Sequence, residues 1–266
     1  MSKIKKTFKA LGNILKEPSL LNLILNDREV KKKEFFQKYP HLKTLPQVNF
    51  FDLEGGFNET IDLCFLDGGS IPTDLALLKT LAKNKNTYFE IGTWRGESVW
   101  NVAKVIKDCT TFNLSKEEIN AFGLDKKYAE LHGIISKQNP EILHLEGNSK
   151  TFDFGSLNKK YDLIFIDGDH SYEMVKNDTE KVFKHLTHEN SVVVWHDYAY
   201  SPEKIRYEVF MGILDGLPKN LHQNLYHAAH SMCAVFTKGN FPTQAFESLK
   251  EPEALFEVNL KYRNIK

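Results

Sequence analysis

From Thr87 onward the chain alternates short apolar runs with longer amphipathic ones. The short runs, at 87–91, 109–113, 141–145, 161–166, 191–195, 221–227 and 232–237, are predicted strands. Between the earlier ones, apolar positions recur at helical spacing over 97–107, 116–121, 126–138 and 173–186. Leu163-Ile164-Phe165-Ile166 and Val192-Val193-Val194-Trp195 are continuously apolar, as strands buried on both faces should be. This alternation predicts an α/β fold: a doubly wound, seven-stranded, mostly parallel sheet of Rossmann-like form with right-handed crossovers. Only Ala228 to Ser231 separate the last two runs, which makes them an antiparallel C-terminal hairpin.

Ahead of this unit, residues 3–45 read as helical. Ile4, Phe8, Leu11, Ile14 and Leu15 recur at helical spacing, then Leu20, Leu23, Ile24 and Leu25, with lysines on the other face. We expect an N-terminal helical arm over 1–60, packed on its own domain or on a second copy in a homo-oligomer. A basic amphipathic helix can also lie on a membrane. Gly55-Gly56 and Gly68-Gly69 punctuate an irregular stretch. Pro72 suits the first turn of a helix to about Lys83 that carries Leu75, Leu77, Leu78 and Leu81. The main domain is expected over 61–240, and a C-terminal extension over 241–266.

Composition narrows the class. The 266 residues are 41% hydrophobic and 26% charged, as in globular proteins. Lys plus Arg and Asp plus Glu each number 35, so no global field recruits nucleic acid or anionic lipid. Cys64, Cys109 and Cys233 are odd in number and scattered, which fits neither a disulfide framework nor a zinc site. No apolar run approaches the roughly 18 residues of a transmembrane segment. The basic N-terminus lacks the apolar stretch of a secretory signal, so a cytoplasmic location is expected.

The chemistry begins where the strand at 87–91 runs into Gly92-Thr93-Trp94-Arg95-Gly96 and a helix opening at Glu97-Ser98. A strand feeding a glycine turn that opens a helix is a nucleotide-binding loop. Trp94, however, stands where the dinucleotide fingerprint has its second glycine, and would hold a pyrophosphate away. A ligand without phosphate, carrying a cationic amino group for Glu90, fits better; S-adenosylmethionine is one. Such sheets bind ligands at the carboxyl ends of their strands. Asn113 ends the second strand, where an acidic residue usually holds ribose hydroxyls, and Asp125 competes for that role. Glu146-Gly147-Asn148-Ser149 follows the third strand and can meet an adenine edge. The fourth strand ends in Asp167-Gly168-Asp169-His170 and the fifth in His196-Asp197. Two converging carboxylates repel unless one is protonated or a cation sits between them. Hard divalent cations take oxygen ligands. His170 is then a candidate general base, and Asp169 reads as the N-cap of the next helix.

Glu90-x-Gly92-x-x-x-Gly96-x-Ser98 and Phe165-Ile166-Asp167-Gly168-Asp169-His170-Ser171-Tyr172 resemble the class I S-adenosylmethionine-dependent methyltransferases. The second block looks like the branch containing macrocin O-methyltransferase and is more distantly similar to catechol O-methyltransferase. The resemblance covers about residues 70–240. It implies S-adenosylmethionine held by Glu90, Gly92, Thr93, Trp94, Gly96, Ser98, Asn113, Asn148, Ser149 and Asp167. It implies Mg2+ or another divalent metal on Asp167, His196 and Asp197, with His170 as the base. The acceptor would be a hydroxyl of a small molecule such as a sugar. Asn113 departs from the family pattern, and so does His196, which stands where relatives have an acidic ligand. Imidazole suits transition metals better than magnesium. Two other functions stay open. One is an NAD-dependent dehydrogenase or epimerase, against which the missing Gly-x-Gly-x-x-Gly argues. The other is a non-catalytic S-adenosylmethionine-binding protein. The acceptor pocket is expected from the arm and from an insertion at 202–218 that carries no readable code.

Overall fold

A computed structural model describes residues 3–25, 27–53, 57–66, 69–123 and 126–264. Gly55-Gly56, Gly68 and the ribose candidate Asp125 lie outside the described residues. The arm comprises α1 (Lys3–Lys16), α2 (Leu20–Leu25) and α3 (Arg28–Lys38), followed by a short strand β1 (Gln47–Val48). Next come α4 (Pro72–Ala82), β2 (Thr87–Ile91), α5 (Glu97–Val102), β3 (Asp108–Asn113), α6 (Lys116–Ala121), α7 (Lys126–Leu131) and β4 (Ile142–Glu146). The second half holds β5 (Leu163–Ile166), α8 (Tyr172–His185), β6 (Val192–Trp195), β7 (Ala199–Ser201), β8 (Lys204–Ile205), α9 (Tyr207–Gly216), β9 (Leu225–Ala228) and β10 (Ala234–Phe236).

One sheet runs in the order β1-β9-β10-β6-β5-β2-β3-β4. Strands β2 to β6 pair in parallel, β10 is antiparallel to both β6 and β9, and β1 joins β9 in parallel. The sheet therefore has eight strands rather than seven. The addition is a two-residue edge strand, too short to show any alternation.

The central strands are buried on both faces, and side chains alternate between two core layers. Leu163 and Phe165 of β5, with Val192 and Val194 of β6, pack with Leu75, Leu78, Val99 and Val102 of α4 and α5. Ile164, Ile166, Val193 and Trp195 face the other way, onto Val175 and Val182 of α8 and Phe210 and Ile213 of α9. Two predicted boundaries shift. The run at 221–227 becomes a strand only at Leu225, because Lys219–Asn224 is a 3-10 helix. The stretch 126–138 breaks into α7 and a 3-10 turn at Ser136–Gln138, with left-handed Gly133 (φ 69°) between them.

The segment 202–218 is not an irregular insertion. It contains the end of the β7–β8 hairpin and α9, which buries Val209, Phe210, Ile213 and Leu214. Gly212 and Gly216 let α9 lie close on α8: a Cβ there would come within 2.9 Å of Val175 Cβ and 2.7 Å of Thr179 Cβ.

The arm divides in two. Phe35 of α3 is fully buried and stacks on Phe210, ring centroids 4.8 Å apart. Asp27 caps α3 by accepting the Glu29 N–H at 2.9 Å. Helix α1 buries no residue. Of the arm, α3 packs on its own domain, whereas α1 does not.

Candidate functional site

Strand β2 delivers the glycine turn to the carboxyl edge of the sheet. Gly92 takes φ +93°, and a Cβ on it would lie 2.0 Å from the Asp167 carbonyl oxygen. The Asp167 N–H donates to Ile91 O at 2.8 Å, so the turn and the end of β5 touch main chain to main chain. Gly96 (φ +87°) is closed in the same way by Ser136, whose Oγ would lie 2.1 Å from a Cβ. Trp94 does not cover the turn. With φ 43° it points toward α7, stacking on Tyr128 at 4.6 Å between centroids. Arg95 lies over the Trp94 ring at 4.8 Å.

Glu90 faces inward. It alternates with Phe89 and Ile91 onto the layer that holds Tyr88, and is fully buried. Its Oε2 accepts hydrogen bonds from Tyr88 Oη at 2.8 Å and Ser98 Oγ at 2.7 Å, and its Oε1 from Thr111 Oγ1 at 2.9 Å. Burial pushes its carboxyl up to about 7, although the three hydroxyls pull the other way. This corrects the expectation of direct contact with an amino group: Glu90 and Ser98 brace the turn from beneath.

Thr93 and Asn113 stay at the edge. Asn113 Oδ1 accepts the Thr93 N–H at 3.4 Å. Both line a narrow cleft with Leu114, Ile119, His132 and Glu146. Glu146 pairs with Asn113 across β3 and β4, so a carboxylate stands beside the amide at this rim. Asn148 Oδ1 accepts the Lys150 N–H at 2.9 Å and closes its own loop. Ser149 is turned away, buried and hydrogen-bonded to Asp178 of α8. The residues present fit a nucleoside at Thr93, Asn113 and Glu146 better than at Ser149.

Next to the turn stands the ionisable cluster. Register between β5 and β6 pairs Ile166 with Trp195, so the residues that follow come out side by side. His196 Nδ1 is 3.0 Å from Asp167 Oδ1 and 3.1 Å from Asp197 Oδ2. His196 Nε2 is 3.0 Å from Oδ2 of Asp74. Asp197, with φ 54°, also lies 2.9 Å from His170 Nε2 through Oδ2 and 3.7 Å from Arg206 Nη1 through Oδ1. Burial works against a charge on His196, but Asp167, by charge and hydrogen bond, and then Asp197 and Asp74 hold its pKa well above the usual imidazole value. Burial likewise opposes ionisation of Asp197, and hydrogen bonds from His170 and His196 outweigh it, holding the carboxyl far below its usual range. Asp169 is not the helix cap: its Oδ1 accepts the Ser171 N–H at 2.8 Å, and Ser171 occupies the N-cap of α8.

Asp74 was missed by sequence reasoning. It is fully buried in the first turn of α4, where it accepts the Ile71 N–H at 2.9 Å and the Met232 N–H at 2.8 Å. An Asp just after a helix-opening Pro72 reads as a cap, and nothing local announces a partner so far along the chain.

Asp167, His196 and Asp197 each offer an atom within 4.8 Å of the others. The arrangement fits a divalent cation. A carboxylate on the far imidazole nitrogen is the usual outer partner of a metal-bound histidine, and Asp74 holds that place. Two carboxylates and one imidazole favour a transition metal over magnesium.

Residues 89–198 match the model of a methyltransferase domain. That match runs from within β2 to just past β6 and takes in the glycine turn, Asp167, His170, His196 and Asp197. A curated relative, uncharacterized protein R132 of Acanthamoeba polyphaga mimivirus, is 26% identical over 141 residues. The match covers 48% of this chain and 59% of that protein's length. Two solved structures are similar. A putative caffeoyl-CoA O-methyltransferase from Staphylococcus aureus is 20% identical, with TM-score 0.42, covering 85% of this chain and all of that one. An O-methyltransferase from Bacillus cereus in complex with SAH is 16% identical, with TM-score 0.41, covering 63% and 81%. No helix among the described residues is long and apolar enough to cross a membrane.

Proposed function

We propose that the protein transfers a methyl group from S-adenosylmethionine to a hydroxyl oxygen of a small acceptor. The macrocin-like block at Phe165 to Tyr172 favours a sugar as that acceptor. The observation that carries the reading is the contact of Gly92 with the Asp167 main chain. It makes the nucleotide-type turn and the carboxylate–histidine cluster one continuous rim.

Bound there, S-adenosylmethionine would supply a methyl group on a sulfonium, and a divalent cation on Asp167, His196 and Asp197 would supply charge that acidifies the acceptor hydroxyl. Thr93, Asn113 and Glu146 are the residues suited to orient the nucleoside, and positioning of this kind supplies much of the rate. His170 is suited to take the hydroxyl proton. A carboxylate can only accept, so the short contact with Asp197 Oδ2 requires the hydrogen on His170 Nε2. That tautomer leaves Nδ1 as the basic atom.

Calorimetry with S-adenosylhomocysteine and with NAD+ tests the cofactor, and transfer of labelled methyl to a panel of sugars and catechols tests the reaction. Binding of S-adenosylhomocysteine together with metal-dependent transfer is expected. Binding of NAD+ alone would replace this reading with a dehydrogenase, and binding without transfer to any acceptor would leave a non-catalytic binder.

A further inference from the structure

Helix α1 is built with two opposed faces. At about 100° per residue, Ile4, Phe8, Leu11 and Leu15 fall within about 60° of arc. They are 69%, 71%, 50% and 83% exposed. Lys3, Lys5, Lys6, Lys9 and Lys16 occupy the remaining circumference, and the helix contains no acidic residue. After a short turn, α2 adds Leu21, Leu23, Ile24 and Leu25, all exposed. The zero net charge of the whole chain averages away this local excess.

We propose that α1 docks in the plane of an anionic lipid membrane. The apolar stripe would enter the boundary between head groups and acyl chains, and the lysines would stand at phosphate level. Three features favour this occupant. Every charged residue on the polar face is basic, which complements acidic lipid. A helix of 14 residues is about 21 Å long, too short to span a bilayer core of about 30 Å, so it lies on the surface. A second α1 packed stripe to stripe would bring lysines toward lysines on both flanks, and neither helix contains a carboxylate.

The test uses the full chain and flotation with two kinds of vesicle, phosphatidylcholine alone and phosphatidylcholine with phosphatidylserine. Sedimentation velocity without lipid runs in parallel. At about 0.1 M salt the protein should bind the anionic vesicles at least tenfold more tightly than the neutral ones, and higher salt should weaken that binding. Each lysine near an anionic surface is worth about a fivefold change, so Lys6→Gln with Lys9→Gln should weaken binding by more than tenfold. Phe8→Glu with Leu11→Glu should abolish binding without changing the melting temperature, since neither side chain is buried. Failure to bind anionic vesicles, or equal partitioning of wild type and the Phe8→Glu/Leu11→Glu variant, overturns the proposal. So does self-association that this variant abolishes in a protein that ignores lipid, which would make a second copy the occupant.

Discussion

His196 has a carboxylate on each ring nitrogen, and this decides what its neighbours can do. Asp74 fixes Nε2, which leaves Nδ1 to face Asp167 and Asp197. Loss of an outer partner of this kind typically changes metal affinity 10–100-fold. We expect Asp74→Asn to weaken binding of a divalent cation by about that range in calorimetry, and Asp197→Asn to remove it. Unchanged affinity in both variants would reduce the cluster to an ion-pair network. His170 differs from His196 in being a third exposed, with a side-chain accessibility of 34%. Removing a general base costs about 10²–10⁴ in rate. His170→Ala should lower turnover by that order and leave S-adenosylmethionine affinity nearly unchanged; a loss below tenfold would remove the base role. Asp167, His170, His196 and Asp197 were legible because each follows an apolar run, where the rim of a parallel sheet must lie. Asp74 was not, because its partners Ile71 and Met232 meet only in the folded chain.

At the scale of elements, the glycine turn was readable as a turn but the direction of its carboxylate was not. All of Tyr88 to Ile91 is buried, so no polar–apolar alternation marks the face that Glu90 joins. The consequence is a pH dependence. The Glu90 carboxyl rises from an ordinary 4.5 to about 7, chiefly through burial. Between those values the folded protein holds a proton that the unfolded chain has released. The stabilisation is complete below pH 4.5 and is lost as pH rises to about 7. At one pKa unit per 1.4 kcal/mol, the whole change is roughly 3 kcal/mol. Urea unfolding across this window should show wild type losing stability relative to Glu90→Gln, which cannot ionise; a difference that stays flat with pH would contradict it. One strand over, Glu146 is the carboxylate proposed to hold ribose hydroxyls, since it lines the same cleft as Thr93 and Asn113. A charge-assisted hydrogen bond is worth about 1.5–3 kcal/mol, so Glu146→Gln should weaken S-adenosylhomocysteine binding about 10–100-fold. Helix α9 escaped notice for a different reason. Pro202, Pro218 and two glycines look like loop signals, yet the glycines serve close packing on α8.

At the scale of the molecule, the arm is two things joined in sequence. Phe35 ties α3 to α9, and through α9 to α8 and the face of the sheet that holds Ile164, Ile166, Val193 and Trp195. Lys38, Tyr39 and Tyr172 reinforce the joint by converging on Asp215, Tyr39 Oη at 2.6 Å and Tyr172 Oη at 2.7 Å. Helices α1 and α2 contribute no such tie, because their apolar residues face outward. The periodicity of 3–45 showed helices throughout but not which of them had a core to join, since that depended on α9. The two parts should separate in a melting experiment. A chain beginning at Asp27 keeps the cap of α3 and gives up no buried side chain among the described residues, so its melting temperature should match the full chain within experimental error. Phe35→Ala removes a fully buried ring and should cost about 3–5 kcal/mol. In a domain of this size that is a fall of roughly 10 °C in Tm. If the shortened chain melts as early as Phe35→Ala, α1 and α2 support the fold after all, and their open apolar faces would need a different explanation.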